Sequence, residues 1–150
     1  MSLLSKMPFI TVIMPIRNEA AFIERSLHSV LMQNYPAQRI EILIVDGMSN
    51  DNTRPILQQI IQNRHHRPYP NIILLNNPKQ IIPSALNIGL RHAQGDIIMR
   101  IDGHCEVSPD YIRQCLVQLE GAHADNVGGM IHTVGETSIA QAIALATNHP

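Results

Sequence analysis

Residues Ile97–His104 read Ile-Ile-Met-Arg-Ile-Asp-Gly-His, a short apolar run that ends in a carboxylate, a glycine and an imidazole. The apolar part predicts a buried β-strand, and Asp102 and His104 come where that strand ends. In an open α/β sheet, ligands bind at the carboxyl ends of the strands. Gly103 allows a sharp bend between the two side chains, so both can face one cation. The stretch therefore predicts a ligand-binding edge with a metal site.

Three other apolar runs have the Ile-, Leu- and Val-rich composition of buried parallel strands. They are Phe9–Met14, Glu41–Val45 and Ile72–Leu75. Segments with apolar residues at helical spacing separate the runs, and a weaker run at Val127–Val134 predicts a fifth strand. The order βαβαβαβαβα predicts an α/β fold, a parallel sheet with helices on both faces.

Several local signals predict where these elements begin and end. Pro15 is expected to stop the first strand, and Asn18 is a candidate N-cap for the helix that follows. The run Ser108-Pro109-Asp110 predicts another helix start, with Ser108 as the cap. The pair His65-His66 lies in a basic, proline-containing connection and is interpreted as a solvated loop rather than a metal site.

Composition limits the classes of protein that this chain can represent. Its 150 residues suit about one domain, and they are 45% hydrophobic and 15% charged, with a net charge of −1. That charge provides no basic surface for nucleic acid. The chain has no Trp, two Phe and three Tyr, so it lacks the aromatic platforms on which single-strand binders stack bases. We therefore expect no nucleic-acid partner.

The cysteines and the apolar runs indicate the cellular compartment. Cys105 and Cys115 do not have the spacing of a zinc site and are expected to be reduced thiols. No apolar run approaches the roughly 18 residues of a membrane span, and the N-terminus has no signal-peptide core. We predict a cytoplasmic location. In a longer protein this location could be the inner face of the cell membrane, with membrane association only through sequence absent from this chain.

The candidate binding residues are those that follow the first, second and fourth strands. They are Pro15, Arg17, Glu19, Asp46, Asp102 and His104. The chain lacks both the Gly-x-Gly-x-x-Gly and the Gly-Lys-Ser/Thr phosphate-binding patterns. Phosphate would therefore need Arg17, or a divalent cation held by Asp102 and His104. A carboxylate with an imidazole suits Mn²⁺ better than Mg²⁺.

Four segments together resemble the N-terminal, nucleotide-sugar-binding part of the family 2 glycosyltransferases. They are Val12–Glu19, Glu41–Thr53, Pro83–Gly89 and Gly95–His104, in the family's order and spacing. The resemblance implies the GT-A fold, a Rossmann-like three-layer α/β/α architecture with a mostly parallel sheet. It also implies that residues 1–150 are a donor-binding part that is incomplete at its C-terminus. The Asp-Gly-His form and the later Val127–Gly129 and Val134–Thr137 are most similar to bacterial exopolysaccharide enzymes of the succinoglycan type.

The resemblance implies a role for each candidate residue. The loop Pro15–Glu19 would cradle the nucleobase and ribose, and Asp46 would accept a hydrogen bond from the base, with uracil favoured. Asp102 would take the first position of the family's Asp-x-Asp motif, near the ribose and the metal. His104 replaces the second Asp and would be a metal ligand, with Mn²⁺ or Mg²⁺ as the cofactor.

The activity implied by the resemblance is transfer of a sugar from a nucleoside-diphosphate sugar, with a UDP-sugar favoured. The reaction would be metal-assisted and inverting, and the acceptor would be a polysaccharide or a lipid-linked saccharide. The family's carboxylate base, which would deprotonate the acceptor hydroxyl, is expected beyond residue 150. The catalytic residue is therefore unassigned, and this segment alone is expected to bind the donor but transfer sugar poorly or not at all.

Two other functions are compatible with this order of elements. A nucleotidyltransferase shares the sheet type and the use of metal-binding carboxylates, although it usually has a glycine-rich loop after the first strand. A flavodoxin-like receiver domain would use Asp46 as its phosphorylated carboxylate. Single residues also have simpler roles, since Asp46 could only hold its loop and Glu19 could only complement a helix N-terminus. His104 and Arg17 could be solvated surface residues.

Overall fold

The computed structural model describes residues 3–63, 69–130, 132–135 and 137–147. The predicted histidine loop at His65 and His66 lies outside these ranges. The α-helices and β-strands, in chain order, are α1 (Leu3–Lys6), β1 (Ile10–Ile16), α2 (Ile23–Leu31), β2 (Ile40–Asp46), α3 (Thr53–Gln62), β3 (Asn71–Asn76), α4 (Ile82–His92), β4 (Ile97–Arg100), α5 (Tyr111–Gly121) and α6 (Ser138–Thr147), and a short 3-10 helix, Ala37–Arg39, precedes β2.

The four strands form one sheet in the order β3-β2-β1-β4, and every neighbouring pair is parallel. The chain first builds outward from β1 to β3, and then returns through α4 to place β4 on the other side of β1. The strand order therefore reverses between β1 and β4. Such a switch point is where open α/β sheets form their binding crevice.

Helices cover both faces of the sheet. On one face, alternate β1 residues such as Val12 and Met14 pack with apolar residues of α2, α3 and α5. On the other face, Ile13 and Val45 pack with Ala85 of α4. Gly89 allows α4 to approach this face closely, since a Cβ there would lie 2.6 Å from Ile13 Cγ2. The predicted three-layer α/β/α architecture with a parallel sheet is confirmed.

Pro15 does not stop the first strand, because β1 continues to Ile16. The carbonyls of Ile13 and Ile16 bond to Ile101 N–H and Gly47 N–H respectively, which places alternate residues toward β4 and toward β2. By this alternation Pro15 faces the β4 side, beyond the last paired residue, Arg100. The missing N–H of the proline therefore removes no hydrogen bond between strands.

Two predicted helix caps are also wrong. Asn18 has φ of 55° and lies five residues before α2, and its Oδ1 accepts a hydrogen bond from Asn50 N–H at 3.0 Å. The helix predicted to start from Ser108 begins instead at Tyr111. The side chain of Gln33 links Ser108 to the first turn of α5. It donates to Ser108 O at 2.7 Å and accepts from Ile112 N–H at 3.0 Å.

The fifth strand predicted at Val127–Val134 is absent from the described part of that segment, residues 127–130 and 132–134. Gly129 instead packs against the Tyr111 ring, where a Cβ would lie 2.6 Å from Cε2. The prediction that β4 is buried is also wrong. Within the described residues β4 is an edge strand that pairs only with β1, and Ile98 is 41% exposed.

Candidate functional site

The carboxylate of Asp46, at the end of β2, is completely buried and has several hydrogen-bond partners. Its Oδ1 accepts from Ser49 N–H at 3.0 Å and from Ser49 Oγ–H at 2.6 Å. Its Oδ2 accepts from Arg54 Nη1 at 2.6 Å, and the same nitrogen donates to Asn76 Oδ1 at 2.8 Å. These contacts join the ends of β2 and β3 to the first turn of α3. That Asp46 accepts a hydrogen bond from a nucleobase stays a prediction.

The end of β1 holds one buried candidate residue, Pro15, and the loop after it holds an exposed one, Arg17. Pro15 is buried within the strand, while Arg17 is exposed, with its aliphatic stem against Gly47. A Cβ at position 47 would lie 3.3 Å from Arg17 Cβ and Cδ, so the glycine leaves room for this stem. In the described part of the chain, Arg17 has no hydrogen bond or ion pair. Its guanidinium is therefore available to an anionic ligand.

Asp102 is held by the residue two positions before it. Arg100 donates from Nε to Asp102 Oδ1 at 2.7 Å and from Nη2 to Oδ2 at 2.9 Å, a bidentate pair. The hydrogen bonds to this carboxylate raise the pKa of Arg100. The backbone carbonyl of Asp102 accepts from Ser26 Oγ–H at 3.2 Å and from Cys105 N–H at 3.0 Å, which fixes the turn on α2.

His104 and Glu19 meet across the switch point. His104 Nδ1 lies 3.0 Å from Glu19 Oε1, which joins the turn after β4 to the loop after β1. The imidazole is half-exposed, whereas the Glu19 side chain is 17% exposed. Nε2 of His104 forms no hydrogen bond to a residue that the structure describes. The fold therefore brings together Glu19 and the Asp102–His104 turn, which are 83 residues or more apart in the chain.

The donor chemistry of this turn fits a divalent cation. Asp102 provides carboxylate oxygens, each with a lone pair left beside its bond to Arg100, and His104 provides a nitrogen without a protein partner among the described residues. This combination suits Mn²⁺. Among residues 3–63, 69–130, 132–135 and 137–147, no cluster of three or more His, Cys, Asp or Glu side chains could enclose an ion. Asp102 and His104 would therefore share a cation with ligand and solvent oxygens.

Sequence reasoning predicted Arg17 but missed two other arginines at this edge. Arg54 neutralises the buried Asp46 carboxylate, and Arg100 pairs with Asp102. The signal for Arg100 was available, because residues two apart in a strand lie on the same face. Arg54 had no such signal, since its contact with Asp46 depends on where α3 begins.

Comparison with known proteins identifies relatives of this chain. The sequence profile described as "Glycosyl transferase family 2" matches residues 11–142. Glycosyltransferase AglE of Haloferax volcanii is 33% identical over 128 residues, which cover 85% of this chain and 40% of AglE. Succinoglycan biosynthesis protein ExoA of Rhizobium meliloti is 30% identical over 139 residues, which cover 91% of this chain and 40% of ExoA. The chain thus spans about two-fifths of the length of these curated relatives.

A solved structure shares both the fold and part of the sequence. The mannosyltransferase PcManGT from Pyrobaculum calidifontis, in complex with GDP-Man and Mn²⁺, superimposes with a TM-score of 0.69 at 30% sequence identity. The match covers 75% of this chain and 32% of that protein. The predicted GT-A fold is confirmed by this likeness together with the parallel sheet.

Proposed function

This chain belongs to glycosyl transferase family 2, and from that membership we propose that the whole protein transfers a sugar from a nucleoside-diphosphate sugar. The acceptor would be a polysaccharide or a lipid-linked saccharide, and the product a cell-envelope or exported glycan. The observation that carries the proposal is the meeting of the Asp102–His104 turn with the loop after β1 at the switch point of the sheet. The similarity to ExoA, a succinoglycan biosynthesis protein, supports the choice of acceptor.

The donor would bind along the carboxyl ends of β1, β2 and β4. Arg17 is an exposed cation at this edge and would attract the diphosphate. Asp102 and His104 would hold Mn²⁺ or Mg²⁺, which supplies positive charge to a diphosphate leaving group. Pro15, Glu19 and Asp46 would support the nucleoside, and the buried Asp46 would do so by holding its own loop.

The base of the nucleotide is a separate question from the binding of the diphosphate. The family resemblance favours uracil, whereas PcManGT was solved with GDP-Man. We keep the UDP-sugar as the proposed donor and include GDP in its test. The catalytic base is proposed to lie beyond residue 150, and the reaction to invert the configuration at the anomeric carbon.

The proposed location is the cytoplasm or the inner face of the cell membrane. In the described ranges of the chain, no helix is both long enough and apolar enough to span a bilayer. Neither a nucleic acid nor a protein partner is part of the proposal.

The two competing functions lose their support. Family membership replaces the nucleotidyltransferase interpretation, which rested on the sheet type and on metal-binding carboxylates. A receiver domain would need Asp46 accessible to a phosphate donor, yet this carboxylate has no exposed surface and is paired with Arg54.

Calorimetric titration of UDP and of GDP into the chain, with and without Mn²⁺, tests the proposal. We expect one nucleotide to bind in a Mn²⁺-dependent manner, and Asp102→Ala to abolish this binding. Asp125→Ala removes an exposed aspartate after α5 and is the matched control, which should bind like the wild type. A folded wild-type chain that binds neither nucleotide in the presence of Mn²⁺ would contradict the proposal.

A further inference from the structure

The chemistry of the two side chains decides which is the donor and which the acceptor in the hydrogen bond between His104 and Glu19. An ionised carboxylate only accepts hydrogen bonds, so His104 Nδ1 must donate to Glu19 Oε1 across their 3.0 Å separation. In a neutral imidazole the other nitrogen, Nε2, then carries the lone pair. Nε2 has no partner in the described part of the chain, and the ring is 56% exposed.

We propose that Glu19 is a positioning residue, which fixes His104 in the tautomer with its proton on Nδ1 and presents Nε2 to the divalent cation. This inference rests on the proposed function, because it assigns a partner to the metal ligand of that site. Histidines that bind metals usually donate their second ring N–H to a carboxylate or carbonyl, which orients the ring and raises its basicity. Glu19 thereby acquires a role distinct from the nucleoside contact expected from the sequence.

The backbone of Glu19 is held on both sides, so its carboxylate is presented from a rigid support. Its N–H donates to Thr53 Oγ1 at 2.8 Å, at the start of α3. Its carbonyl accepts from Phe22 N–H at 2.9 Å and from Ile23 N–H at 2.8 Å, at the start of α2. Two helices therefore fix this residue before any ligand arrives, which is the support that a precisely placed site requires.

The turn that carries His104 is packed directly onto the same support. A Cβ at Gly103 would lie 2.8 Å from Ile16 Cγ2 and 3.1 Å from Glu19 Cγ. Only a glycine lets the turn approach this closely without moving Ile16 or Glu19. The close packing keeps the carboxylate and the imidazole within hydrogen-bond distance.

The simpler role for Glu19, complementing the N-terminus of α2, does not account for its side chain. The carboxylate pairs with His104, while the first N–H groups near α2 bond to the backbone carbonyl of Glu19. A residue that served only the helix would have its carboxylate directed at those N–H groups. The geometry favours the histidine as its target.

The test compares Glu19→Ala, which removes the acceptor, with Glu19→Gln, whose amide oxygen can still accept from Nδ1. The matched control is Glu24→Ala, which removes an exposed glutamate of α2. Nitrogen NMR of ¹⁵N-histidine-labelled protein without metal reports the tautomer, with His104→Ala used to assign the signals. Titration with MnCl₂ in the presence of UDP or GDP reports the affinity for the cation.

In the wild type and Glu24→Ala, we expect neutral His104 to carry its proton on Nδ1. Glu19→Ala should shift the ring toward the Nε2-protonated tautomer and weaken Mn²⁺ binding by about 10- to 100-fold. Glu19→Gln should restore most of both properties. A purely structural role would change protein stability without changing the tautomer, and would not distinguish Gln from Ala.

The outcomes separate this inference from the proposed function. If the wild type binds nucleotide with Mn²⁺ but Glu19→Ala keeps the same tautomer and affinity, the positioning role is overturned and the donor site stands. If the folded wild type binds neither nucleotide, the proposed function fails. In that case the NMR still decides whether Glu19 fixes the tautomer, although the role toward a cation is overturned.

Discussion

At the scale of single residues, close backbone approaches set the positions of the functional loops. Gly95 is an example, because it precedes β4 and lies against the backbone of β1 at Thr11. Its N–H donates to Thr11 Oγ1 at 2.8 Å, and Thr11 in turn donates to the buried carboxylate of Glu41 at 2.5 Å. Glu41 also accepts from Gln94 N–H at 2.7 Å. This buried polar network anchors the start of the strand that carries the Asp102–His104 turn.

Replacing Gly95 with alanine should destabilise the fold, because the new Cβ would lie 2.5 Å from the backbone nitrogen of Thr11. Backbone cannot move aside as a flexible side chain can, so we expect a loss of about 1–3 kcal/mol in the free energy of unfolding. Equilibrium urea denaturation measures this loss.

The control for that substitution is Gly121→Ala at the end of α5, where a Cβ would meet no atom within 4 Å. Alanine there should leave stability unchanged or raise it by up to about 1 kcal/mol, because it lowers the entropy of the unfolded chain. Equal effects of the two substitutions would contradict the packing argument.

At the scale of elements, the first turn of α3 connects two parts of the binding edge. Arg54 reaches the ends of β2 and β3, while Asp51 holds the start of the helix and the loop after β1. Asp51 accepts from Thr53 N–H and Oγ–H through Oδ1, and from Ala20 N–H at 3.2 Å through Oδ2. One turn of helix therefore supports the loops after β1 and β2 together.

Removing Arg54 should be costly, because it leaves the buried Asp46 carboxylate without its counter-charge. We expect Arg54→Ala to lower the free energy of unfolding by about 3 kcal/mol, the scale on which breaking a buried ion pair acts. The double variant Asp46→Asn/Arg54→Ala should lose less than the sum of the single variants. Denaturation of all four proteins measures this coupling, and strict additivity would show that the pair does not interact.

The stability contributed by Asp51 should depend on pH. The hydrogen bond from the Thr53 side chain holds the pKa of Asp51 below its ordinary value. A group whose pKa is lower in the folded state stabilises the fold above its unfolded pKa, which is about 4 for Asp. This contribution is lost as the pH falls through the lower, folded-state pKa.

We therefore expect the stability difference between the wild type and Asp51→Asn to be largest near neutral pH and to shrink in the acid range. Urea denaturation across that range measures the difference, with Asp125→Asn, at an exposed aspartate, as the reference. A difference that stays constant with pH would contradict the assignment.

At the scale of the whole molecule, the strand order decides which parts of the sheet are protected. Strands β1 and β2 have a partner on each side, whereas β3 and β4 are edges of the described sheet. All seven residues of β1 and of β2 are buried, but the four residues of β4 are only partly buried or exposed. The turn that carries Asp102 and His104 thus follows the less protected of the two strands at the switch point.

Hydrogen exchange should follow this arrangement. We expect amides of β2 that bond to β1 to exchange only on global unfolding, and those of β4 that bond to β1 to exchange faster through local opening. Exchange measured by NMR in the absence of ligand compares the two groups. Equal protection of both would mean that β4 opens only with the whole sheet.

Much of the site was predictable from strand ends alone. Asp46 and Asp102 stand at or just beyond the ends of their strands, as the apolar runs indicated, and Arg17 and Glu19 lie in the loop after β1. The arginine partners of the two aspartates were not predicted, nor was the contact of Glu19 with His104. The prediction of a fifth strand was wrong because an apolar run forms a strand only when it pairs with the edge of a sheet. Gly129 packs on Tyr111 instead.

The sequence by itself determined the class of fold and the chemistry available to the site. Alternating apolar runs and helical periodicities require a covered parallel sheet, since each element must bury its apolar side. The tertiary structure alone decided the strand order β3-β2-β1-β4, and with it the meeting of Glu19 with His104 and of Arg54 with Asp46. The physical reason is the separation along the chain between the residues that interact. Periodicity records how each segment meets the core, whereas these pairings depend on packing between segments distant in the chain.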